Sequence, residues 1–408
     1  MIIFEAIDAG HGDAILIRYK GTLGFERILL VDAGPDSTGS HNGASFKPLS
    51  KTVLPRLLEI KAERDAKTED EDIKAGEPEL TLDLVVCTHV HDDHIDGIVR
   101  MFSGWSNNGG LPAGAEQIKA PRLWHNSFSK IVGDVDIDAA TASEAIALSV
   151  PDGENLSVFA NSIGTVVNKG ADGKLIGPGF QPEGFGPAKI TVLNPGKEEL
   201  EDLKKEWAKA AKKKAAADGE TQALGELDLK EFKEDNSVLN LSSITMLIEW
   251  KGRRILLTGD QRGDFVLRSL EALGLKEKNK PFHVDLLKVP HHGSKANVQK
   301  SFIAGVTADT YVFSANGRDQ NPDPEVLEIV AHEAKKGRSF TMAFTNQEMN
   351  YMPDKKGNNP KFVSGPSVAT LSQALDFLKS DPDVAANIKF EFRKPGAHSL
   401  VYALTPKT

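Results

Sequence analysis

The chain has 408 residues, 40% hydrophobic and 26% charged, with one cysteine and a formal net charge of −9. That apolar fraction excludes disorder as the main state, and the lone Cys87 excludes both an intramolecular disulfide and a cysteine-based zinc ribbon. The 58 acidic against 49 basic residues exclude a large nucleic-acid-coating surface but leave room for a small site that accepts one phosphodiester.

In chain order, residues 2–7 form an apolar strand, Gly10-His11-Gly12-Asp13 a turn, 14–19 a second strand, and 27–31 a third that ends in Asp32-Ala33-Gly34. Glycine and aspartate at such turns supply unusual backbone angles and local hydrogen bonds. Residues 36–50 read as loop, and 52–60 (TVLPRLLEI) as a helix running into the charged stretch 61–78. The apolar run 82–88 has the length of a buried strand, a helix begins over 95–102, and 121–125 is another strand. Segment 139–148 is helix-like, 177–187 is a Gly/Pro-rich loop and 190–193 resumes a strand. The Lys/Glu/Ala-rich stretch 198–217, closed by Asp218-Gly219, reads as an exposed helical insertion with a solvated charged face. Strands return at 244–250, 254–257, 284–289 and 310–313, alternating with helices at 264–273 and 324–335. The tail carries a helix over 368–379 and a terminal hairpin of 388–392 with 399–404 around Pro395-Gly396. Alternating strands and helices with hairpins at both ends predict a mixed α/β layered fold. The opening MIIFEAIDAGHGD lacks a basic segment followed by an apolar stretch, and no apolar run nears the ~20 residues that span a bilayer. The expectation is a cytoplasmic protein with no membrane segment.

The sharpest chemical feature is Thr88-His89-Val90-His91-Asp92-Asp93-His94-Ile95-Asp96-Gly97, directly after a buried strand. His89 and His91 are two apart, so an extended backbone points both imidazoles the same way. Asp93 and His94 lie where the chain leaves the strand for a helix and face a second point nearby. Neutral imidazoles with a carboxylate suit zinc, manganese or iron. Other strand ends repeat the design. Strand 254–257 runs into Thr258-Gly259-Asp260, strand 284–289 into Pro290-His291-His292-Gly293-Ser294, and Asp32 follows an apolar strand. Side chains collected at one kind of strand end are how catalytic sites are assembled from sheets.

The order Asp32, HxHxDH at 89–94, Asp260, His291 resembles the metallo-β-lactamase superfamily of binuclear metal hydrolases. Asp8-Ala9-Gly10-His11-Gly12-Asp13-Ala14, LLTGD at 256–260, VPHHGS at 289–294 and Ser314-Ala315-Asn316-Gly317 leading to Asn321-Pro322 resemble one branch of it. That branch is the soluble hydrolase domain of bacterial competence DNA-uptake channel proteins and its stand-alone relatives. The resemblance covers roughly residues 1–35, 82–125 and 190–345. It implies an αββα metallo-β-lactamase-like sandwich over 1–345, with helical insertions near 36–78, 130–189 and 197–235. Residues 346–408 would be a helix-and-hairpin extension packed on the same domain. It also implies two divalent transition-metal ions, zinc or manganese. His89 and His91 would hold the first, Asp93, His94 and His291 the second, and Asp260 would bridge them. Asp32 would orient a ligand histidine, and His292 would contact substrate or a developing charge. The superfamily's further histidine for the first metal is missing: segment 236–243 (NSVLNLSS), ending in Ser243, has none, and His125 is the histidine in the interval. His11, on the turn beside Asp13, reads as a substrate contact rather than a ligand.

Two divalent ions close together lower the pKa of a bridging water and hold attacking and leaving oxygens. A hydroxide would attack phosphorus or carbonyl carbon, with Asp93 also accepting the water's proton. The leading expectation is a phosphodiesterase or nuclease acting on a small-molecule or nucleic-acid phosphodiester. The alternatives are an ester, lactone or amide hydrolase, β-lactams included, and a metal-stabilised interaction module of a larger assembly. In the last case the 198–217 helix or the C-terminal extension would meet a protein partner.

Overall fold

The computed structural model describes all residues except 23, 38–39, 42–43, 69–78, 108, 128–143, 172–174, 202–236, 355, 364 and 408. The first seven-stranded sheet contains β1 (Ile2–Ile7), β2 (Ile15–Lys20), β3 (Glu26–Val31), β4 (Leu84–Val86), β5 (Arg122–Trp124) and β6 (Val166–Val167). The second contains β7 (Ala188–Asn194), β8 (Thr245–Trp250), β9 (Arg253–Leu257), β10 (Phe282–Lys288), β11 (Val306–Phe313), β12 (Phe340–Phe344) and β13 (Ile388–Phe392). The last strand, β14 (Ser399–Leu404), returns to the first sheet. The strand orders are β6-β5-β4-β3-β2-β1-β14 and β7-β8-β9-β10-β11-β12-β13. Each sheet has an antiparallel half, and in each the pairing turns parallel, from β3 to β6 and from β9 to β13.

Side chains of opposite parity explain the layering. Phe4, Ile17, Leu29 and Val86 of the first sheet meet Met246, Ile248, Leu257 and Leu286 of the second in one buried cluster. Their strand neighbours point the other way. Leu16, Leu30 and Val85 pack under helices α1 (Leu54–Thr68), α2 (Asp92–Asn107) and α3 (Glu144–Ser162), through Leu57, Ile98 and Leu156. On the far side Leu256, Leu287 and Met342 pack under α4 (Gly263–Ala272), α5 (Pro324–Ala331) and α6 (Leu371–Lys379), through Val266, Leu327 and Leu371. Strands buried on both faces read as apolar runs rather than alternations, and each fully buried aliphatic side chain contributes roughly 1.5–3 kcal/mol. The result is the αββα sandwich that the resemblance implies. Among the described residues, no helix is long and apolar enough to cross a membrane.

Three expectations change. β13 and β14 do not form a hairpin: β13 pairs with β12, Phe344 opposite Phe392, and β14 pairs with β1, Ile2 opposite Leu404. The Pro395-Gly396 turn therefore carries the chain from one sheet to the other. Each strand gains a partner with open backbone groups, which a two-stranded hairpin cannot match. Secondly, residues 36–50 are not all loop, since Ser40–His41 pairs with Ala44–Ser45 and a helical turn starts at Leu49. Thirdly, the second sheet has a strand beyond those the sequence predicts, β12 (FTMAF), a five-residue run directly after the Gly337 turn. The 198–217 insertion lies outside the described residues from 202 onward, as does the start of 139–148.

Candidate metal centre

The parallel halves of the two sheets end at one edge of the sandwich, and there the polar residues collect. Asp32 follows β3, Thr88 and His89 follow β4, Asp260 follows β9, and His291 and His292 follow β10. The Ile244 N–H donates to the Thr88 carbonyl at 2.9 Å, and Ser314 Oγ donates to the Gly12 carbonyl at 2.9 Å, so both sheets are tied at this edge.

Helix α2 begins within the histidine cluster, with Asp92 and Asp93 in its first turn, where carboxylates complement the helix dipole. Its Gly97 lies directly on the end of β3: a Cβ there would stand 2.2 Å from the Ala33 carbonyl oxygen. That approach brings His94 beside Asp32, whose Oδ2 accepts from His94 Nδ1 at 2.8 Å. Asp32 also accepts from the Thr88 N–H at 2.8 Å and the Thr88 hydroxyl at 2.7 Å.

Three further imidazoles are held in the same way, by Nδ1. His89 Nδ1 meets Thr88 Oγ1 at 3.1 Å and Ser243 Oγ at 3.2 Å, and His292 Nδ1 donates to the Ser314 carbonyl at 2.8 Å. His291 Nδ1 faces Asn297 Oδ1 at 2.8 Å, and Asn297 Nδ2 donates to the Asp260 carbonyl at 2.8 Å. In the neutral ring, an Nδ1–H engaged outside leaves Nε2 with its lone pair inside, the tautomer a metal requires.

The Nε2 atoms and carboxylates then converge. His94 Nε2 is 3.2 Å from Asp260 Oδ1 and 3.8 Å from Asp93 Oδ1, and His292 Nε2 is 3.3 Å from Asp93 Oδ2. One ligand atom from each of Asp93, His94, Asp260 and His292 lies within 4.8 Å of every other. His89 Nε2, His94 Nε2, His292 Nε2, Asp93 Oδ1 and both Asp260 carboxylate oxygens are buried without a hydrogen-bond partner. Buried polar atoms in native proteins are almost always satisfied. So many orphans around one point, of the donor types that bind transition metals, fit a divalent cation.

The four-donor group contains His292, where the resemblance implies His291. Both residues adopt left-handed backbone (φ 46° and 56°), a conformation that costs about 1–2 kcal/mol per non-glycine residue. The bend seats His292 against the Ser314 carbonyl and sends His291 Nε2 to the other Asp260 oxygen, at 3.4 Å. His91 stands at the rim, 42% exposed, its Nδ1 3.3 Å from Asp93 Oδ1. His125 is turned elsewhere, its Nε2 3.0 Å from the Gly153 carbonyl in α3.

Lys288, fully buried, was not singled out by its sequence context. Its ammonium pairs with Asp13, donates to the Gly259 carbonyl at 3.2 Å and lies 3.8 Å from Asp260 Oδ1. A lysine closing an apolar strand usually reaches solvent, and no local signal reveals a partner some 275 positions away. Asp13 also stands 3.5 Å from His292 Nδ1.

Charge explains the proton positions. Burial, the largest influence on His94, opposes its protonation, but Asp260, Asp93 and Asp32 outweigh it and hold its pKa well above the usual value. His292 is raised to about 9 by Asp260 and Asp13, again against burial. Burial, reinforced by His94, pushes His89 well below the imidazole range. Burial works against ionisation of Asp260 and Asp93, yet the surrounding imidazoles hold both well below the carboxylate range.

The group opens into a cavity of about 210 Å³, lined by His11, His91, Asp93, His291, His292, Arg318 and Asn321 among others. His11 sits on the turn that Asp13 ties to the Asp93 carbonyl (N to O 3.3 Å). Burial lowers its pKa to about 4, so the ring is neutral at pH 7.

No protein-family model matches the chain, and no curated protein does. Among solved structures the chain is similar to CmlA, a diiron β-hydroxylase from Streptomyces venezuelae, at 11% identity and a TM-score of 0.38, over 99% of this chain and 54% of that one. The chain thus spans about half the length of CmlA. It is also similar to Zn²⁺-bound PqqB from Methylobacterium extorquens, at 13% identity and a TM-score of 0.33, over 99% of this chain and 100% of that one. Both overlays are loose, so what the centre can do follows from its own residues: a buried His/Asp donor set at the convergence of two sheets, open on one side to a small cavity.

Proposed function

We propose that the chain is a metal-dependent hydrolase of phosphodiesters, related to the competence-uptake branch of the metallo-β-lactamase superfamily and using zinc or manganese. The observation that carries this reading is the set of partnerless donor atoms on Asp93, His94, Asp260 and His292, of which Asp93 and His292 line a cavity. A catalytic metal needs that combination of protein ligands and open side, whereas a structural metal is enclosed. Bound divalent ions would lower the pKa of water toward neutrality and polarise the phosphoryl oxygen.

The chain's own groups then divide the work. Asp93, His94, Asp260 and His292 would hold one ion, and His89 and His91 would serve a second beside Asp260. Asp32, Thr88, Ser243 and Ser314 fix imidazole orientation from behind. Asp93 lines the cavity and, being ionised across the working pH range, offers an acceptor for a proton released during attack.

Asp260→Asn tests the reading. Turnover of a generic phosphodiester such as bis(4-nitrophenyl) phosphate should vanish and metal content should fall, while circular dichroism keeps the sandwich signature. Undiminished turnover in the variant would sink the assignment. Efficient β-lactam or lactone hydrolysis without phosphodiester activity would move the chain to the ester and amide class, and tight metal binding with no turnover at all would favour an interaction module.

A further inference from the structure

The segment 316–321 contributes Asn316, Arg318, Asp319 and Asn321 to the lining of the cavity that Asp93 and His292 also line. Gly317 has φ 89°, and a Cβ on it would stand 2.2 Å from the Asn350 carbonyl oxygen. Asp319 and Gln320 are also left-handed, at φ 54° and 65°. Hydrogen bonds close the segment on itself: Gly317 N–H to the Asn321 carbonyl and Asn321 N–H to the Arg318 carbonyl, both 3.1 Å, with Met352 N–H on the Gly317 carbonyl at 3.2 Å. Arg318 N–H donates to Asn316 Oδ1 at 3.1 Å. Such a braced loop presents its side chain in a fixed direction, at little further entropic cost on binding.

The side chain so presented is Arg318, which lines the cavity. Arg318 Nη1 donates to His11 Nε2 at 2.9 Å, a contact joining the end of β11 in the second sheet to the β1–β2 turn in the first. Its nearest carboxylate is its neighbour Asp319, 3.6 Å from Nε and 78% exposed, an arrangement that neutralises little. Among the residues lining the cavity, Arg318 carries the one guanidinium or ammonium group. We propose that Arg318, braced by His11, binds the anionic phosphate group of the substrate beside the metal ligands and sets a preference for charged diesters over neutral esters. This rests on the hydrolase reading above. A guanidinium meets two phosphate oxygens with parallel N–H groups, which an ammonium cannot do. The cavity is smaller than the roughly 300–1,000 Å³ typical of sites that enclose a whole small molecule. It therefore admits the phosphate and its first substituents, the rest of the substrate lying outside it.

The test titrates inorganic phosphate calorimetrically into the zinc-loaded protein and its Arg318→Gln and Arg318→Lys variants, with zinc content and thermal midpoint recorded for each. Phosphate affinity should fall about tenfold or more in Arg318→Gln at unchanged zinc content. Arg318→Lys, which keeps the charge but not the fork, should fall in between. In steady-state assays KM for bis(4-nitrophenyl) phosphate should rise several-fold more than KM for its neutral methyl triester. Affinities in both variants within about twofold of the wild type, or equal rises in KM for charged and neutral substrates, would overturn the proposal. If the wild type cleaves no diester while phosphate binding still depends on Arg318, the hydrolase reading fails and the anion site stands.

Discussion

Asp32 Oδ2 lies 2.8 Å from His94 Nδ1, with both side chains cut off from solvent. Three donors converge on this carboxylate: the His94 ring, the Thr88 amide and the Thr88 hydroxyl. An asparagine offers one acceptor oxygen and turns an NH₂ group on the remaining donor. Asp32→Asn should therefore weaken metal binding roughly 10–100-fold, the usual cost of losing a partner behind a ligand histidine. A chelator competition titration measures this directly. Wild-type affinity in the variant would show that packing of α2 alone orients His94.

Metal binding should release protons. At pH 7 the carboxylates keep His94 and His292 protonated, with His292 titrating at about 9, whereas burial keeps His89 neutral. A metal takes only the neutral imidazole, so loading displaces about two protons. Apparent affinity should climb as pH rises from 7 to about 9 and fall as the solution is acidified. Calorimetry in two buffers of different ionisation heat gives the number, and release of less than about one proton would contradict the charge arrangement.

Much of this centre was legible because its parts lie at ends of apolar strands: Asp32, His89, Asp260 and His291-His292 each follow such a run. The same runs, alternating with helices, predict a mixed α/β layered fold, while the αββα order of the layers came only from the resemblance. What stayed hidden depends on torsions or on distant contacts. Two adjacent left-handed residues decide that His292 rather than His291 joins Asp93 and His94. Lys288 is buried by Asp13 from the other sheet, and Arg318 meets His11 across 307 positions. The supposed hairpin failed for a related reason: local alternation marks strands at 388–392 and 399–404 but does not say which sheet edge each will join.

If the centre takes two ions, they should differ in strength. Ligand atoms of Asp93, His94, Asp260 and His292 all lie within 4.8 Å of one another, while His89 and His91 fall outside that group. Ser243, which ends the histidine-free segment 236–243, has its Oγ 3.2 Å from His89 Nδ1 and so orients that ring. His125 is bonded to the Gly153 carbonyl. Titration with zinc should be biphasic, one ion tight and one weak. His125→Ala should keep both phases while lowering stability by about 1–3 kcal/mol through the buried carbonyl left behind. Loss of one ion per chain in that variant would identify His125 as the missing ligand.

Away from the metal centre, Asp323 links stability to pH. It precedes α5, accepts from the Lys295 N–H at 2.8 Å and lies 3.5 Å from Lys295 Nζ. Burial raises its pKa from 3.8 to about 6, more than Lys295 can offset. Below pH 4 the folded and unfolded chains both carry this proton. Between about 4 and 6 the folded chain alone retains it, so stability falls as pH rises through that window, and the loss is complete above about 6. A shift of this size corresponds to about 3 kcal/mol. Asp323→Asn keeps an oxygen for the Lys295 amide and removes the ionisation. Its stability should match the wild type at pH 4 and exceed it at pH 8, apart from the lost attraction to Lys295, which Glu325 still holds at 2.9 Å. Urea unfolding of both proteins from pH 4 to 8 checks the slope, and parallel profiles would place the pKa of Asp323 in the ordinary carboxylate range.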